Sequence, residues 1–76
     1  MGRYYLLSKT VTENQSDEII REMKEVPGVN MISVDQNGAE LLVSTEDENF
    51  SFVMNNAVNI CKRVAQVEMS FHKFAV

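Results

Sequence analysis

Val26-Pro27-Gly28-Val29-Asn30-Met31-Ile32-Ser33-Val34-Asp35-Gln36-Asn37-Gly38-Ala39-Glu40-Leu41-Leu42-Val43-Ser44-Thr45 is the stretch that decides the fold. Proline cannot continue a helix and glycine turns the chain at little steric cost, so Val26-Pro27-Gly28-Val29 reads as a helix exit running into a strand. Residues 30–35 alternate, with Ile32 and Val34 on one face and Met31, Ser33 and Asp35 on the other. Residues 40–45 alternate as well, Leu41 and Val43 against Glu40, Leu42 and Ser44. Between them stands Asn37-Gly38, the pair best suited to a type I′ turn, in which both central residues need positive φ. The stretch therefore predicts a helix end and a two-stranded hairpin.

Working outward, residues 4–11 begin with aromatic and aliphatic side chains and end in β-branched ones, as a strand does. Asn14-Gln15-Ser16 offers helix caps, Asp17 and Glu18 put negative charge in a first turn, and Ile19, Ile20, Met23 and Val26 recur at helical spacing. Beyond the hairpin, Glu46-Asp47-Glu48-Asn49 supplies carboxylates for the start of a second helix. Its apolar stripe is Phe50, Val53, Met54, Ala57, Ile60, Cys61 and Val64, and Lys62 and Arg63 complement its negative end. In residues 65–76, Val67, Met69 and Phe71 alternate with Glu68, Ser70 and His72, which predicts a last strand. The order is strand, helix, strand, strand, helix, strand. It predicts an α+β fold, a ferredoxin-like β-α-β-β-α-β sandwich in which residues 1–76 form a single domain and two helices cover one face of a four-stranded antiparallel sheet.

The chain has 76 residues, too few for a second core, and its composition excludes disordered and low-complexity classes. Its net charge of −4 argues against nucleic acid, whose affinity comes from neutralised phosphates, and favours a cationic partner. Cys61 is the only cysteine, which excludes an internal disulfide and suits a reducing compartment. The apolar run near the N-terminus is too short for a signal peptide or a membrane span, and Leu6 stands where myristoylation wants Ser or Thr, so a cytoplasmic protein without stable membrane association is expected.

No catalytic set is present, so no enzyme is expected. His72 is the only histidine, and no cysteine or histidine pair has metal-ligand spacing. No glycine-rich phosphate loop occurs. Neither a metal nor a cofactor is expected. The carboxylates of the first helix read as a solvated face. What remains is the sheet face without helices. With Ile32, Val34, Leu41, Val43, Val67, Met69 and Phe71 assigned to the core, Tyr5, Leu7, Leu42 and Met31 fall on that open face beside Lys9, Ser70 and His72. For the first strand, Tyr4 and Leu6 fit it as well as Tyr5 and Leu7. An apolar open face or a long edge strand is where another chain binds.

Three families share this order of elements. Val26-Pro27-Gly28-Val29 with Ser33-Val34-Asp35 resembles heavy-metal-associated domains, whose metal loop, two cysteines separated by two residues after the first strand, should fall within residues 9–17, where no cysteine stands. The Pro-Gly-Val junction also resembles the ligand domains of leucine-responsive regulators, without their second junction. Val67-Glu68-Met69-Ser70-Phe71-His72-Lys73-Phe74, taken with the junction, Asn37-Gly38 and Glu40-Leu41-Leu42-Val43, resembles the NapD family, cytoplasmic chaperones for periplasmic nitrate reductase. That resemblance implies a chaperone that binds the twin-arginine signal peptide of a molybdoenzyme precursor and delays export until the cofactor is loaded. It implies that Tyr5, Leu7, Leu42 and His72 contact the peptide, with Lys9 and Ser70 at the rim. The alternative is a stand-alone regulatory or small-ligand-binding domain of the same fold acting as a homodimer.

Overall fold

The computed structural model describes residues 2–75. It contains strand β1 (Gly2–Leu7), helix α1 (Glu13–Lys24), strands β2 (Val29–Val34) and β3 (Glu40–Thr45), a 3₁₀ turn (Asp47–Asn49), helix α2 (Phe50–Ala65) and strand β4 (Met69–Ala75). The strands lie in the order β2-β3-β1-β4 with every neighbouring pair antiparallel. This is the ferredoxin-like sandwich expected from the order of elements, with β2 and β4 as its edges.

Local chemistry sets the element boundaries. Helix α1 is capped by Thr12 rather than by residues 14–16: Gln15 N–H donates to Thr12 Oγ1 at 3.1 Å, and Thr12 N–H donates to Gln15 Oε1 at 2.9 Å. This reciprocal capping box satisfies two helix-end donors and moves the helix start forward. Strand β1 accordingly stops at Leu7, short of residue 11, and Val11 becomes a buried member of the core. Helix α2 ends with Gln66 in the left-handed region (φ 55°); its N–H donates to the Lys62 carbonyl at 3.0 Å, and the Val67 N–H donates to the Cys61 carbonyl at 3.4 Å.

The hairpin is not closed by a type I′ turn. Only Gly38 has positive φ (70°), because Asp35 organises a longer loop in place of the two-residue one. Asp35 Oδ1 accepts the Ala39 and Glu40 N–H groups at 2.8 and 3.1 Å, and the Gly38 N–H donates to the Asp35 carbonyl at 3.1 Å. The loop then leans on the segment after β1. Val11 N–H donates to the Gly38 carbonyl at 2.9 Å, and a Cβ at Gly38 would stand 2.3 Å from the Val11 carbonyl oxygen.

The core lies between sheet and helices. Ile19 and Met23 of α1 and Val53, Ala57 and Cys61 of α2 are fully buried against Ile32, Leu41 and Val43, and Val67 joins them from the segment before β4. Each such large aliphatic side chain contributes about 1.5–3 kcal/mol by leaving water. Residues directly opposite one another in a sheet share a face, so register fixes orientation. Tyr5 pairs with Leu41 and Arg3 with Val43, which puts Arg3, Tyr5 and Leu7 on the helix side. The expected placement of Tyr5 and Leu7 on the open face is therefore corrected: Tyr5 is buried and Leu7 packs against the core. Tyr4 and Leu6 take the open side.

Gly38→Ala combines left-handed backbone strain with a backbone clash. We expect a loss of about 2 kcal/mol or more, read as a fall in Tm of roughly 8–16 °C in a thermal melt.

Candidate functional site

Strand β4 pairs with β1 on one side and, among the described residues, has no strand on the other. Its register is interrupted: Tyr5 faces Phe71 but Tyr4 faces Lys73, so His72 is an extra residue without a partner. A bulge of this kind resets the alternation. Without it Phe74 would fall on the open face. With it, Phe74 pairs with Arg3 and joins Phe71 on the helix side. There Tyr5, Phe71 and Phe74 form a chain of edge-to-face rings, with centroids 6.0 and 5.1 Å apart. Burial raises the Tyr5 hydroxyl pKa, partly offset by Arg3. Phe71 and Phe74 remain half exposed.

Arg3 ties this edge to α2. Its guanidinium lies 3.9 Å from the Phe50 ring centroid and 5.4 Å from that of Phe74. On the opposite face, Lys73 Nζ stands 5.3 Å from the Tyr4 ring centroid. Tyr4, Lys73, Phe74 and Ala75 line an open depression of about 440 Å³ at this end of the edge. A second one, of about 340 Å³, lies between residues 11–13 and the hairpin loop.

The six residues expected to form a site do not all meet. Leu42 is half-buried on the open face, and Ser70 lies exposed there opposite Leu6. His72 places Nε2 3.8 Å from Glu40 Oε2. Lys9 is exposed in the loop after β1, and Tyr5 and Leu7 are beneath the helices. Tyr4, Leu6, Arg3, Lys73 and Phe74 were missed. The Tyr4-or-Tyr5 ambiguity hid the first two, and the bulge at His72 hid Phe74. Nothing in the local sequence brings Arg3 to Phe50.

The carboxylates of α1 are already committed. Arg21 pairs with Glu18, Glu22 and Glu25, and Arg63 reaches across from α2 to Glu22. Hydrogen bonds from Arg21 hold the Glu18 carboxyl down at about 2.

The loop after β1 is Ser8-Lys9-Thr10-Val11-Thr12, and no group of three or more His, Cys, Asp or Glu side chains suited to a metal lies together among the described residues. Cys61 is fully buried, and desolvation pushes its thiol up to about 11. Among the described residues, no helix is long and apolar enough to cross a membrane.

No family model matches the sequence, and no curated protein matches it. Solved structures do resemble its fold. Oxidized MerP from Ralstonia metallidurans CH34 superposes with a TM-score of 0.74 at 11% identity, covering 96% of this chain and 97% of that one. The N-terminal domain of PacS from Synechocystis PCC6803 gives 0.68 at 16% identity, covering 96% and 98%. A copper-binding domain from HMA7, a P-type ATPase, gives 0.69 at 13% identity, covering 99% and 97%. These neighbours are heavy-metal-associated domains, which overturns the NapD resemblance. With it fall the twin-arginine signal peptide as partner and the role in nitrate reductase maturation. The Pro-Gly-Val junction, Asn37-Gly38 and the alternating last strand mark a helix exit, a hairpin and an edge strand, elements that any ferredoxin-like sandwich has, so they fitted NapD without singling it out.

Burial and the raised thiol pKa predict that Cys61 resists iodoacetamide at pH 8 in the native protein and reacts on unfolding in guanidinium. Mass spectrometry of the intact chain before and after denaturation reads this directly.

Proposed function

We propose that this chain is a non-enzymatic, cytoplasmic protein-binding module, one domain that has the scaffold of a metal carrier and takes no soft metal as cargo. The observation that carries the reading is the loop after β1. Where the heavy-metal-associated pattern has a cysteine pair, the chain has an ammonium group and hydroxyls, Ser8-Lys9-Thr10-Val11-Thr12. Cu(I) and related ions select thiolate and thioether ligands, and a protonated lysine repels a cation. The sole thiol is buried in α2 and the sole imidazole lies on β4. The loop is held by other means, the Thr12 capping box and the burial of Val11.

With cargo set aside, the scaffold is read as one for protein contact. The exposed edge of β4, with its half-exposed aromatic rings, is the surface suited to it. Metal carriage is the second reading, favoured by the copper-binding domain among the structural neighbours.

Competition for Cu(I) against bicinchoninate separates the two. We expect the reduced protein to leave the chromophoric complex intact at equimolar concentration, and Zn(II) to leave its melting temperature unchanged. Stoichiometric withdrawal of Cu(I) would overturn the proposal in favour of a metal carrier.

A further inference from the structure

We propose that the outer edge of β4 receives an extended acidic peptide. The peptide adds to the sheet as a further strand and sets adjacent carboxylates against Lys73 on the open side and Arg3 on the helix side. This rests on the reading of the chain as a protein-binding module and names the chemistry of its partner.

Three observations converge on this edge. Strand β4 offers seven residues of backbone, Met69–Ala75, at the end of the sheet order, so its outward N–H and C=O groups face no strand. Phe71 and Phe74 stand half exposed along it and supply apolar contact. Most telling are the cations. Arg3 is partly buried between Phe50 and Phe74 and, among the described residues, makes neither an ion pair nor a side-chain hydrogen bond. Lys73 rests on Tyr4 and likewise has no carboxylate partner among the described residues. Elsewhere Arg21 and Arg63 pair with glutamates, whereas Lys9, Lys24 and Lys62, which among the described residues also have no ion pair, lie on no aromatic ring. A guanidinium held flat on aromatic rings keeps its N–H edge free for a carboxylate.

Successive side chains of a strand point to opposite faces, so of two adjacent acidic residues on the incoming chain one falls beside Lys73 on the open face and the other beside Phe74 on the helix face, from where it reaches past that ring toward Arg3 on β1. The sequence of β4 excludes a second copy as the natural occupant. Met69-Ser70-Phe71-His72-Lys73-Phe74-Ala75 carries no carboxylate, so strand-to-strand self-pairing brings Lys73 only to neutral or basic neighbours. Nucleic acid draws its affinity from many neutralised phosphates along its length, and this edge offers two cations, enough for one pair of carboxylates.

The test uses the full chain and a fluorescein-labelled ten-residue Thr/Val peptide with a central Glu-Glu pair. Fluorescence polarisation is expected to show saturable binding that weakens about tenfold when Gln-Gln replaces Glu-Glu, about tenfold in Lys73→Glu, and less in Lys73→Gln. N-methylation of alternate peptide amides should abolish it, and amide exchange should slow in β4 alone. A Lys-Lys peptide that binds Lys73→Glu better than the unmodified protein would complete the charge reversal. Equal affinity for the Glu-Glu and Gln-Gln peptides, protection at β2 instead of β4, a concentration-dependent dimer in sedimentation, or tighter binding of ten-nucleotide oligothymidine would each overturn the acidic-strand proposal. None of these would restore metal cargo, which the Cu(I) competition decides separately.

Discussion

The pairing of Tyr5 with Leu41 on one side and Phe71 on the other is the constraint on which the rest of the molecule depends. It fixes the central strand so that Arg3, Tyr5 and Leu7 face the helices. Slipping β1 by one residue would exchange them for Tyr4 and Leu6 and leave the Tyr5 ring in water. The same register sets the relation of β1 to β4, where an extra residue at His72 is absorbed as a bulge. Because of that bulge, Phe71 and Phe74 lie on one side of the sheet though three positions apart in a strand. The aromatic chain from Tyr5 to Phe74, and the seat of Arg3 beside it, follow from one register and one inserted residue.

The loop after β1 is stabilised by its own hydrogen bonds and packing. Its backbone is tied from both ends: Leu7 N–H donates to the Ala39 carbonyl at 2.9 Å, and Ser8 bonds both ways with Glu68. Val11 is drawn into the core and Thr12 locks the first turn of α1. Gly38 has to be glycine for this arrangement, because the hairpin loop passes against Val11 with no room for a side chain. The loop is thereby committed to packing, and the residues it still exposes, Ser8, Lys9 and Thr10, are hard donors and a cation.

Element order, both helical stripes and the span of β3 were legible in the sequence because each rests on local periodicity, which short alternating or helical patterns report faithfully. The parity of β1 was not. Tyr4-Tyr5-Leu6-Leu7 is apolar at every position, and alternation carries no information where both faces read the same. The α1 start was misplaced because Thr12 and Gln15, three residues apart, form a capping box more effective than the polar run that follows. Of the six residues assigned to a site, Leu42, Ser70 and His72 share the open face as read, since their strands alternate clearly before the bulge. Arg3 was out of reach, because its environment is made by Phe50 and Phe74, distant in the chain and joined only by the fold.

Net charge gave the least reliable guide, for a physical reason. A total of −4 favours a cationic partner only if the carboxylates are free. In α1 they are not: Arg21 and Arg63 bind Glu18, Glu22 and Glu25 into a network, and Glu18 keeps its charge down to about pH 2. Surface pairs of this kind add little stability, but they neutralise the field that a partner would feel. Arg3 and Lys73, which at the sheet edge have no carboxylate partner among the described residues, are set on aromatic rings instead. Charges closer than a Debye length, about 8 Å in physiological salt, dominate what an approaching chain meets. At this edge the side chains seated on the rings are cationic on a molecule whose sum is negative, so the sum does not describe the edge.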